Sequence, residues 1–281
     1  MQIINTISNL QSLVSGNKNS FKIGLVPTMG ALHEGHMSLV KKAIIESDLT
    51  VVSIFVNPTQ FNNSDDLEKY PRNLDADAKL LESISDEIVI FAPNVSEIYP
   101  DGQYSNTYDF QGLDTVMEGA FRAGHYNGVA TIVEKLLRIV KPKNAYFGEK
   151  DFQQLQIIRY LVELQKIPVH IIGCPIVREP NGLARSSRNE RLSTEMRDKA
   201  AFIYSTLLES KKKFKKMSAN KVLSWGKKQF DEHPDFDLEY LSIADAKTLE
   251  VVNRKKPDTK YMLFIAVYAE EIRLIDNIAL N

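Results

Sequence analysis

The sequence has a single cysteine, Cys174, among its 281 residues. One cysteine cannot form an intramolecular disulfide, and it excludes the zinc sites that need several cysteine ligands. Cys174 lies between Gly173 and Pro175, where a small buried hydrophobic side chain is a simpler explanation than a reactive thiol. This scarcity of cysteine is typical of proteins of the reducing cytoplasm, where we expect the chain to work.

The sequence also has little net charge and no long hydrophobic run. Lys and Arg together number 35 against 36 for Asp and Glu, which gives a formal charge of -1 at pH 7. Because no global positive field exists, we expect neither nucleic acid nor a membrane surface as a partner. No apolar stretch approaches the roughly 20 residues of a membrane span. Residues 1–10 contain no Lys or Arg, so we expect no signal peptide there.

Short apolar runs alternate with segments of helical periodicity over residues 1–176. This pattern predicts an α/β fold, a Rossmann-like doubly wound parallel sheet with crossover helices. The predicted strands are Phe21–Val26, Thr50–Val56, Glu87–Ala92, Asn144–Phe147 and Val169–Gly173. The predicted helices between them include Gly35–Ser47, Asn127–Val140 and Asp151–Gln165.

The alternation stops after Pro175, and a Lys-rich helical stretch is predicted over Thr194–Met217. Two apolar runs near the end of the chain predict a β-hairpin with its turn at Ala269 and Glu270. The two runs are Tyr261–Tyr268 and Glu271–Asp276. We therefore assign residues 177–281 to a smaller C-terminal α+β domain.

The most informative polar cluster directly follows the first predicted strand. Residues 27–36 read Pro-Thr-Met-Gly-Ala-Leu-His-Glu-Gly-His and open the first helix of the sheet. Backbone N–H groups at a helix start favour an anion, and Gly30 and Gly35 permit close approach to a phosphate. His33 and His36 stand one turn apart, facing the same ligand. Zinc metalloproteases space their histidines at i and i+4 instead, and the sequence has no P-loop and no Gly-x-Gly-x-x-Gly motif.

Two further polar segments could bind substrate. Gln60 follows the second predicted strand, and its amide can donate to and accept from hydroxyl and carboxylate groups. An exposed glutamine in an Asn-Pro turn is the competing explanation. Arg122 could hold a carboxylate or a phosphate through two hydrogen bonds. The neighbouring His125 and Asn127 could equally be simple helix caps.

Cationic side chains follow the later strands. Lys150 lies at a predicted helix start, where the helix dipole disfavours a purely structural lysine, so a phosphate contact is favoured. Ser186 and Ser187 stand between Arg185 and Arg188 in the loop that enters the smaller domain. Two hydroxyls between two guanidiniums suit phosphate binding, although the same residues are common in ordinary loops.

Together these segments resemble the pantothenate synthetase family, the pantoate–β-alanine ligases of the His-x-Gly-His nucleotidyltransferase superfamily, over essentially the whole chain. The resemblance rests on residues 27–36, 55–61, 70–72, 147–154 and 186–189. It implies an enzyme that joins pantoate to β-alanine through a pantoyl adenylate made from ATP. The ATP chemistry in turn implies Mg²⁺ on the phosphates, with no protein metal site predicted. The resemblance also implies a homodimer and a C-terminal domain that closes over the ATP site.

The resemblance also implies roles for individual residues. His36 is the expected proton donor to the leaving phosphate, Gln60 the contact for both pantoate and β-alanine, and Gln154 a pantoate contact, with Arg122 counted as a third substrate residue. The expected ATP contacts are Met29, Gly30, Ala31, Leu32, His33, Glu34, Gly35, His36, Gly148, Glu149, Lys150, Asp151, Val177, Arg185, Ser186, Ser187 and Arg188. The expected catalytic groups are His33, His36, Lys150, Ser186, Ser187 and Arg188.

Arg185 departs from the family pattern, which usually has Met or Leu before the two serines. Either its guanidinium points to solvent and only its backbone meets the nucleotide, or it adds a cation to the phosphates.

Two rival functions would also use a nucleotide site. A nucleotidyltransferase that stops at a phosphate ester would need more cations near the acceptor than Gln60 and Gln154 provide. A non-catalytic nucleotide sensor would not need Lys150, Arg188 and His36 together at the phosphates.

Overall fold

The computed structural model describes residues 1–15, 21–62, 64–252 and 254–281. The described residues fold into two compact units. The larger unit consists of Met1–Asp114, Arg122–Glu149 and Gln154–Pro175, and the smaller unit consists of Thr115–Phe121, Lys150–Gln153 and Ile176–Asn281. The predicted division after residue 176 does not account for two short segments, 115–121 and 150–153, which pack with the C-terminal part.

The described part of the larger unit contains a parallel sheet of six strands in the order β1-β4-β3-β2-β5-β6. The strands are β1 (Gln2–Ile4), β2 (Ile23–Thr28), β3 (Leu49–Ile54), β4 (Val89–Phe91), β5 (Asn144–Gly148) and β6 (His170–Cys174). Their aliphatic side chains form the core, and Leu25, Val26 and Val52 have no exposed surface. The predicted Rossmann-like α/β fold is confirmed.

Helices connect these parallel strands. Those of the first 175 residues are α1 (Ile7–Ser15), α2 (Glu34–Glu46), α3 (Ser64–Glu68), α4 (Leu74–Glu82), α5 (Val95–Ile98), α6 (Glu118–Phe121), α7 (His125–Val140) and α8 (Phe152–Leu164). Short 3-10 helices cover Pro58–Gln60 and Glu149–Asp151. The predicted strands and helices agree with the observed ones to within about two residues at each end. Strand β1 was not predicted, because it is very short and its pairing partner, β4, is distant in the chain.

The smaller unit carries an antiparallel sheet in the order β7-β8-β9, with helices that pack on it. Its elements are α9 (Thr194–Lys199), α10 (Ala201–Phe214), α11 (Ala219–Asp231), β7 (Phe236–Asp245), β8 (Tyr261–Ala269) and β9 (Ile272–Ala279). A 3-10 helix covers Ser187–Arg191. Residues of these helices and strands share one apolar core, in which Leu207, Val222 and Leu263 are fully buried.

Two predictions for this region were wrong in detail. The stretch Thr194–Met217 is not one helix: α9 ends at Lys199, where the Ala200 N–H closes its last turn on the Met196 carbonyl, 2.8 Å away. The hairpin turn lies at Glu270 and Glu271, one residue later than predicted, and Glu270 has a positive φ of 55°.

Two expectations about burial concern the single cysteine and the membrane. Cys174 lies at the end of β6 and is 2% exposed, as predicted for a small buried hydrophobic residue. Burial raises the pKa of its thiol to about 11. Among the described residues, no helix is both long and apolar enough to span a membrane.

Candidate active site

The two histidines of the turn after β2 cap helix α2 together. His33 is the N-cap residue, and its ring Nδ1 accepts a hydrogen bond from the Gly35 N–H at 3.1 Å. The His36 Nδ1 accepts in return from the His33 N–H at 3.3 Å, so the pair forms a capping box. The ring centroids are 4.1 Å apart. A ring nitrogen that accepts an N–H bond carries no proton, so the proton of each neutral ring lies on Nε2.

The backbone before this cap is held by a carboxylate from another helix. Asp77 of α4 is 4% exposed and accepts hydrogen bonds from the backbone N–H groups of Ala31 at 3.0 Å and Leu32 at 2.8 Å. Burial raises the pKa of Asp77 above its ordinary value, although both of these hydrogen bonds favour the ionised form. Gly30 has φ +83°, and a Cβ there would lie 2.9 Å from the Asp77 Oδ2. Only glycine therefore fits this turn without strain.

Gln60 is half-buried and tied to its surroundings, which contradicts the competing explanation of an exposed turn glutamine. Its Nε2 lies 2.9 Å from the Met29 Sδ, and its Oε1 accepts from the Asn57 Nδ2 at 3.2 Å. Asn57 is 1% exposed and receives a 2.7 Å hydrogen bond from the Tyr99 hydroxyl. The contact between Met29 and Gln60 joins the predicted nucleotide turn to the predicted substrate contact.

The start of helix α7 packs directly against this glutamine. The His125 ring Nδ1 lies 2.8 Å from the Gln60 carbonyl oxygen, and the Asn57 Nδ2 also donates to the Gly128 carbonyl at 3.1 Å. Asn127 accepts from the Tyr108 N–H at 3.0 Å. The explanation of His125 and Asn127 as simple caps was therefore wrong, because the N-cap position is Gly124 and the two side chains bind other segments.

The predicted ATP contacts in the turn after β5 belong to both units, Gly148 and Glu149 to the larger one and Lys150 and Asp151 to the smaller one. Gly148 has open space around its Cα hydrogens, since an added Cβ would meet nothing within 4 Å. In the smaller unit, the Lys150 carbonyl accepts from the Asn277 Nδ2 at 2.8 Å, and the Lys150 ammonium lies 4.0 Å from an Asp151 carboxylate oxygen. The Lys150 side chain is 19% exposed, and its backbone is held by Asn277 of β9.

The loop before α9 is held by its own backbone and side chains. The Arg185 N–H donates to the Val177 carbonyl at 2.9 Å, and the Ser186 hydroxyl accepts from the Arg188 N–H at 3.3 Å. The Arg185 guanidinium lies 2.7 Å from a Glu190 carboxylate oxygen. Of the two alternatives for Arg185, a guanidinium that simply points to solvent is wrong, because the side chain is only 15% exposed.

A buried charged network fixes the segment 115–121 within the smaller unit. The Gln153 amide donates to the Val116 carbonyl at 2.8 Å and accepts from the Glu118 N–H at 3.0 Å. The Glu118 carboxylate receives two hydrogen bonds from Arg273, at 2.7 and 2.8 Å. Burial alone would lower the pKa of Arg273, but the hydrogen bonds to Glu118 and Glu239 raise it. This network explains why the segment packs with the C-terminal residues.

The predicted site residues are distributed over both units. The larger unit contains Met29, Gly30, Ala31, Leu32, His33, Glu34, Gly35, His36, Gln60, Arg122, Gly148, Glu149 and Gln154, and the smaller unit contains Lys150, Asp151, Val177, Arg185, Ser186, Ser187 and Arg188. Arg122 lies in the same turn as His125, whose N–H donates to the Arg122 carbonyl. Asp77 and Tyr99 were not predicted as site residues, because their contacts with the site are 45 and 42 residues away in the chain.

Comparison with known proteins identifies relatives along the whole chain. A family model described as pantoate-beta-alanine ligase matches residues 2–279. The chain is 55% identical to a pantothenate synthetase of Christiangramia forsetii over 275 residues, which cover 98% of this chain and 96% of the relative. It is 50% identical to a pantothenate synthetase of Bacteroides fragilis over 279 residues, which cover 99% and 98%.

Two solved structures are also similar. The pantothenate synthetase from Thermus thermophilus has a TM-score of 0.91 at 38% identity, with 100% of this chain and 99% of that chain covered. A pantoate-beta-alanine ligase from Francisella tularensis, solved in complex with beta-gamma ATP and beta-alanine, has a TM-score of 0.81 at 37% identity, with 100% and 98% covered.

Proposed function

Since this chain belongs to the pantoate-beta-alanine ligase family and joins pantoate to β-alanine, we propose how its residues divide the work. The reaction has two steps: the pantoate carboxylate attacks the α-phosphorus of ATP and expels pyrophosphate, and the β-alanine amine then displaces AMP from pantoyl adenylate. No bond to the protein is required, so catalysis consists of positioning the substrates and stabilising charge. Family membership decides against the nucleotide sensor and the phosphate-ester nucleotidyltransferase.

The single observation that carries our assignment is the capping box of His33 and His36. Both Nδ1 atoms accept backbone N–H groups, so the proton of each neutral ring lies on Nε2, the atom that we assign to the phosphates. Two features favour an anion here, the imidazole rings and the start of α2, while Asp77 fixes the backbone turn that precedes them. We assign the ATP phosphates to this turn, and His36 to the departing pyrophosphate.

Charge on the departing pyrophosphate also requires cations. Lys150 and Arg188 are assigned to this task, with the hydroxyls of Ser186 and Ser187 as additional donors. The remaining predicted ATP contacts, including Val177 and Asp151, stay predictions. Closure of the C-terminal domain over the nucleotide also stays a prediction.

Pantoate binding is assigned to Gln60, with Gln154 and Arg122 as further contacts. The Gln60 amide is held at both ends, by Met29 and by Asn57, so its orientation is set before substrate arrives. A preoriented amide loses little conformational entropy on binding, which favours selection of a small hydroxy acid. Gln60 is also the proposed contact for β-alanine.

Mg²⁺ fits this site as a part of the substrate MgATP. In the described part of the chain, no group of three or more His, Cys, Asp or Glu side chains could hold a metal ion. Mg²⁺ commonly binds through substrate phosphates and keeps several waters. We further propose a homodimer that works in the cytoplasm, where the single buried thiol would stay reduced.

The test separates two roles of His36, the capping role of its Nδ1 as an acceptor and the role of its Nε2 as a hydrogen-bond donor to the ligand. In His36→Asn, the amide oxygen can replace Nδ1 as acceptor of the His33 N–H, whereas the Nε2 donor is lost. We expect pyrophosphate release from ATP and pantoate to slow by about 10²-fold, the scale for one preorganised donor, while thermal stability changes little. A variant with normal pyrophosphate release that is slow only when β-alanine is added would contradict the assignment.

Gln60→Ala and Gln154→Ala test the pantoate contacts separately. Each variant should bind pantoate more weakly by roughly 1–3 kcal/mol, because buried hydroxyl and carboxylate groups lose partners. The affinity for ATP, measured by calorimetry without pantoate, should stay close to that of the wild type. An equal loss of affinity for ATP would instead assign these glutamines to the nucleotide.

A further inference from the structure

Four side chains around the loop before α9, which carries Ser186, form a closed ring of alternating charge, here called the charge ring. Arg185 contacts Glu190 at 2.7 Å and Glu179 at 3.3 Å. Arg197 of α9 contacts the same two carboxylates, Glu190 at 3.1 Å and Glu179 at 2.7 Å. Each guanidinium therefore bridges both glutamates, and each glutamate bridges both arginines.

The charge ring is partly removed from solvent. The Arg185 side chain is 15% exposed and that of Glu179 is 10% exposed, whereas Glu190 at 56% forms the outer side. Burial alone would raise the pKa of Glu179, but hydrogen bonds from Arg197 and Asn189 lower it. The hydrogen bond from Arg185 lowers the pKa of Glu190. All four groups are therefore charged at neutral pH, and their charges sum to zero.

Members of the charge ring flank the backbone segment that carries the predicted phosphate contacts. Ser186 follows Arg185 directly, and Asn189, with no exposed surface, precedes Glu190. The Asn189 amide donates to Glu179 at 2.7 Å and to the Ala184 carbonyl at 3.1 Å. Both ends of the segment 186–188 are thus attached to members of the charge ring or to their hydrogen-bond partners.

This arrangement argues against Arg185 as a phosphate ligand. One nitrogen, Nη1, lies within 3.3 Å of carboxylate oxygens from both Glu179 and Glu190. A guanidinium between two carboxylates presents little net positive field to a third anion, and its departure would leave Glu179 and Glu190 with Arg197 alone, a net negative charge beside the phosphates. Arg188, by contrast, is not a member of the charge ring.

We propose that Arg185 is a positioning residue, which through the charge ring fixes the Ser186–Arg188 turn and does not itself bind phosphate. The proposal rests on the proposed function of Ser186, Ser187 and Arg188 in ATP binding. On this proposal, the arginine at position 185, where the family usually has Met or Leu, serves to hold the loop in its conformation.

The experiment is a double-mutant cycle on Arg185→Met and Glu190→Gln. Methionine keeps a linear apolar side chain without the charge, and glutamine keeps the shape of the glutamate. Each single variant should lower the rate of pyrophosphate release at saturating ATP and pantoate by about 10-fold to 10²-fold, the scale for a misplaced group. The double variant should be no slower than the slower single variant, because one substitution already opens the ring. The KM for ATP should change less than the rate.

Two further variants complete the test. Arg185→Lys should recover part of the rate, since an ammonium can still pair with Glu190. Glu195→Gln is the matched control: Glu195 lies on α9, is 79% exposed and pairs with Lys199 outside the ring, so its rate should equal that of the wild type.

Other outcomes would overturn the proposal. If Arg185 binds phosphate, Arg185→Met should raise the KM for ATP by about 10-fold or more, Glu190→Gln should leave it unchanged or lower it, and the effects should add. Arg188→Ala separates this failure from that of the proposed function. If the effects of Arg185→Met and Glu190→Gln add and Arg188→Ala releases pyrophosphate slowly, only the role of the charge ring is refuted. If Arg188→Ala releases pyrophosphate at the wild-type rate, the loop has no part in catalysis, and Arg185 has no positioning role.

Discussion

Substitution of Gly128 by alanine is the sharpest test of how α7 positions the substrate contact. A Cβ at this position would lie 2.2 Å from the Thr59 carbonyl oxygen, 2.6 Å from the Thr59 carbonyl carbon and 2.8 Å from the Gln60 Cα. All three atoms belong to backbone, so the contact cannot be relieved by a side-chain rotation. An ordinary carbon–oxygen contact is about 3.3 Å, so the 58–60 segment must move by roughly 1 Å.

The expected cost differs for stability and for activity. Overpacking costs about 1–3 kcal/mol, but the gain in helix propensity from Gly to Ala offsets about 1 kcal/mol of it. The free energy of unfolding should therefore fall by at most about 2 kcal/mol, and the protein should stay folded. Because Gln60 moves with the segment, kcat/KM for pantoate should fall by about 10²-fold, the scale for a displacement of this size.

Steady-state kinetics with varied pantoate and urea denaturation measure the two effects. Gly226→Ala is the matched control, since Gly226 also lies in a helix and an added Cβ would lie 2.5 Å from the Leu241 Cδ2. That methyl group is the end of a flexible side chain in the smaller unit and can move aside, so kcat/KM should not change. A folded Gly128→Ala variant with kcat/KM for pantoate near that of the wild type would refute this account of Gln60.

Three further predictions follow from buried groups. Tyr99→Phe should raise the KM for pantoate about fivefold, the equivalent of the roughly 1 kcal/mol hydrogen bond that Asn57 loses; an unchanged KM would remove Tyr99 from the support of the site. Arg273→Met should lower the free energy of unfolding in urea by about 3–5 kcal/mol, because Glu118 would stay buried without its cation; a loss below about 1 kcal/mol would contradict this. Burial raises the folded-state pKa of Cys174 from 9.0 to about 11. The contribution of this thiol to the free energy of unfolding should therefore be complete below pH 9 and be lost as the pH rises through about 11. Urea denaturation across that pH range measures the loss.

Features encoded within a few residues could be predicted from the sequence. The turn at His33 and His36 is one, because strand end, glycines and helix start are neighbours in the chain. The α/β fold is another, since buried parallel strands require continuous runs of Val and Ile such as those around Val26 and Val52.

Contacts between distant segments could not be predicted. Asp77, in the first turn of α4, has the sequence signature of a residue that complements a helix dipole, and nothing local shows that it binds the Ala31 and Leu32 backbone. Gly128 gave a weak signal, since glycine within a helix is unfavourable and indicates a close neighbour. Strand β7 was missed because a register shift between Leu238 and Tyr240 breaks its alternation.

The central claim, that the pantoate carboxylate attacks the α-phosphorus of ATP, is tested most directly by an isotope. A ligase could instead form an acyl phosphate by attack at the γ-phosphorus, which is normally bound by a P-loop or a kinase-type glycine-rich loop. Pantoate labelled with heavy oxygen in its carboxylate is incubated with the enzyme, ATP and β-alanine, and the products are analysed by mass spectrometry. We predict that one labelled oxygen appears in AMP. Label in inorganic phosphate, with ADP as the nucleotide product, would contradict the mechanism.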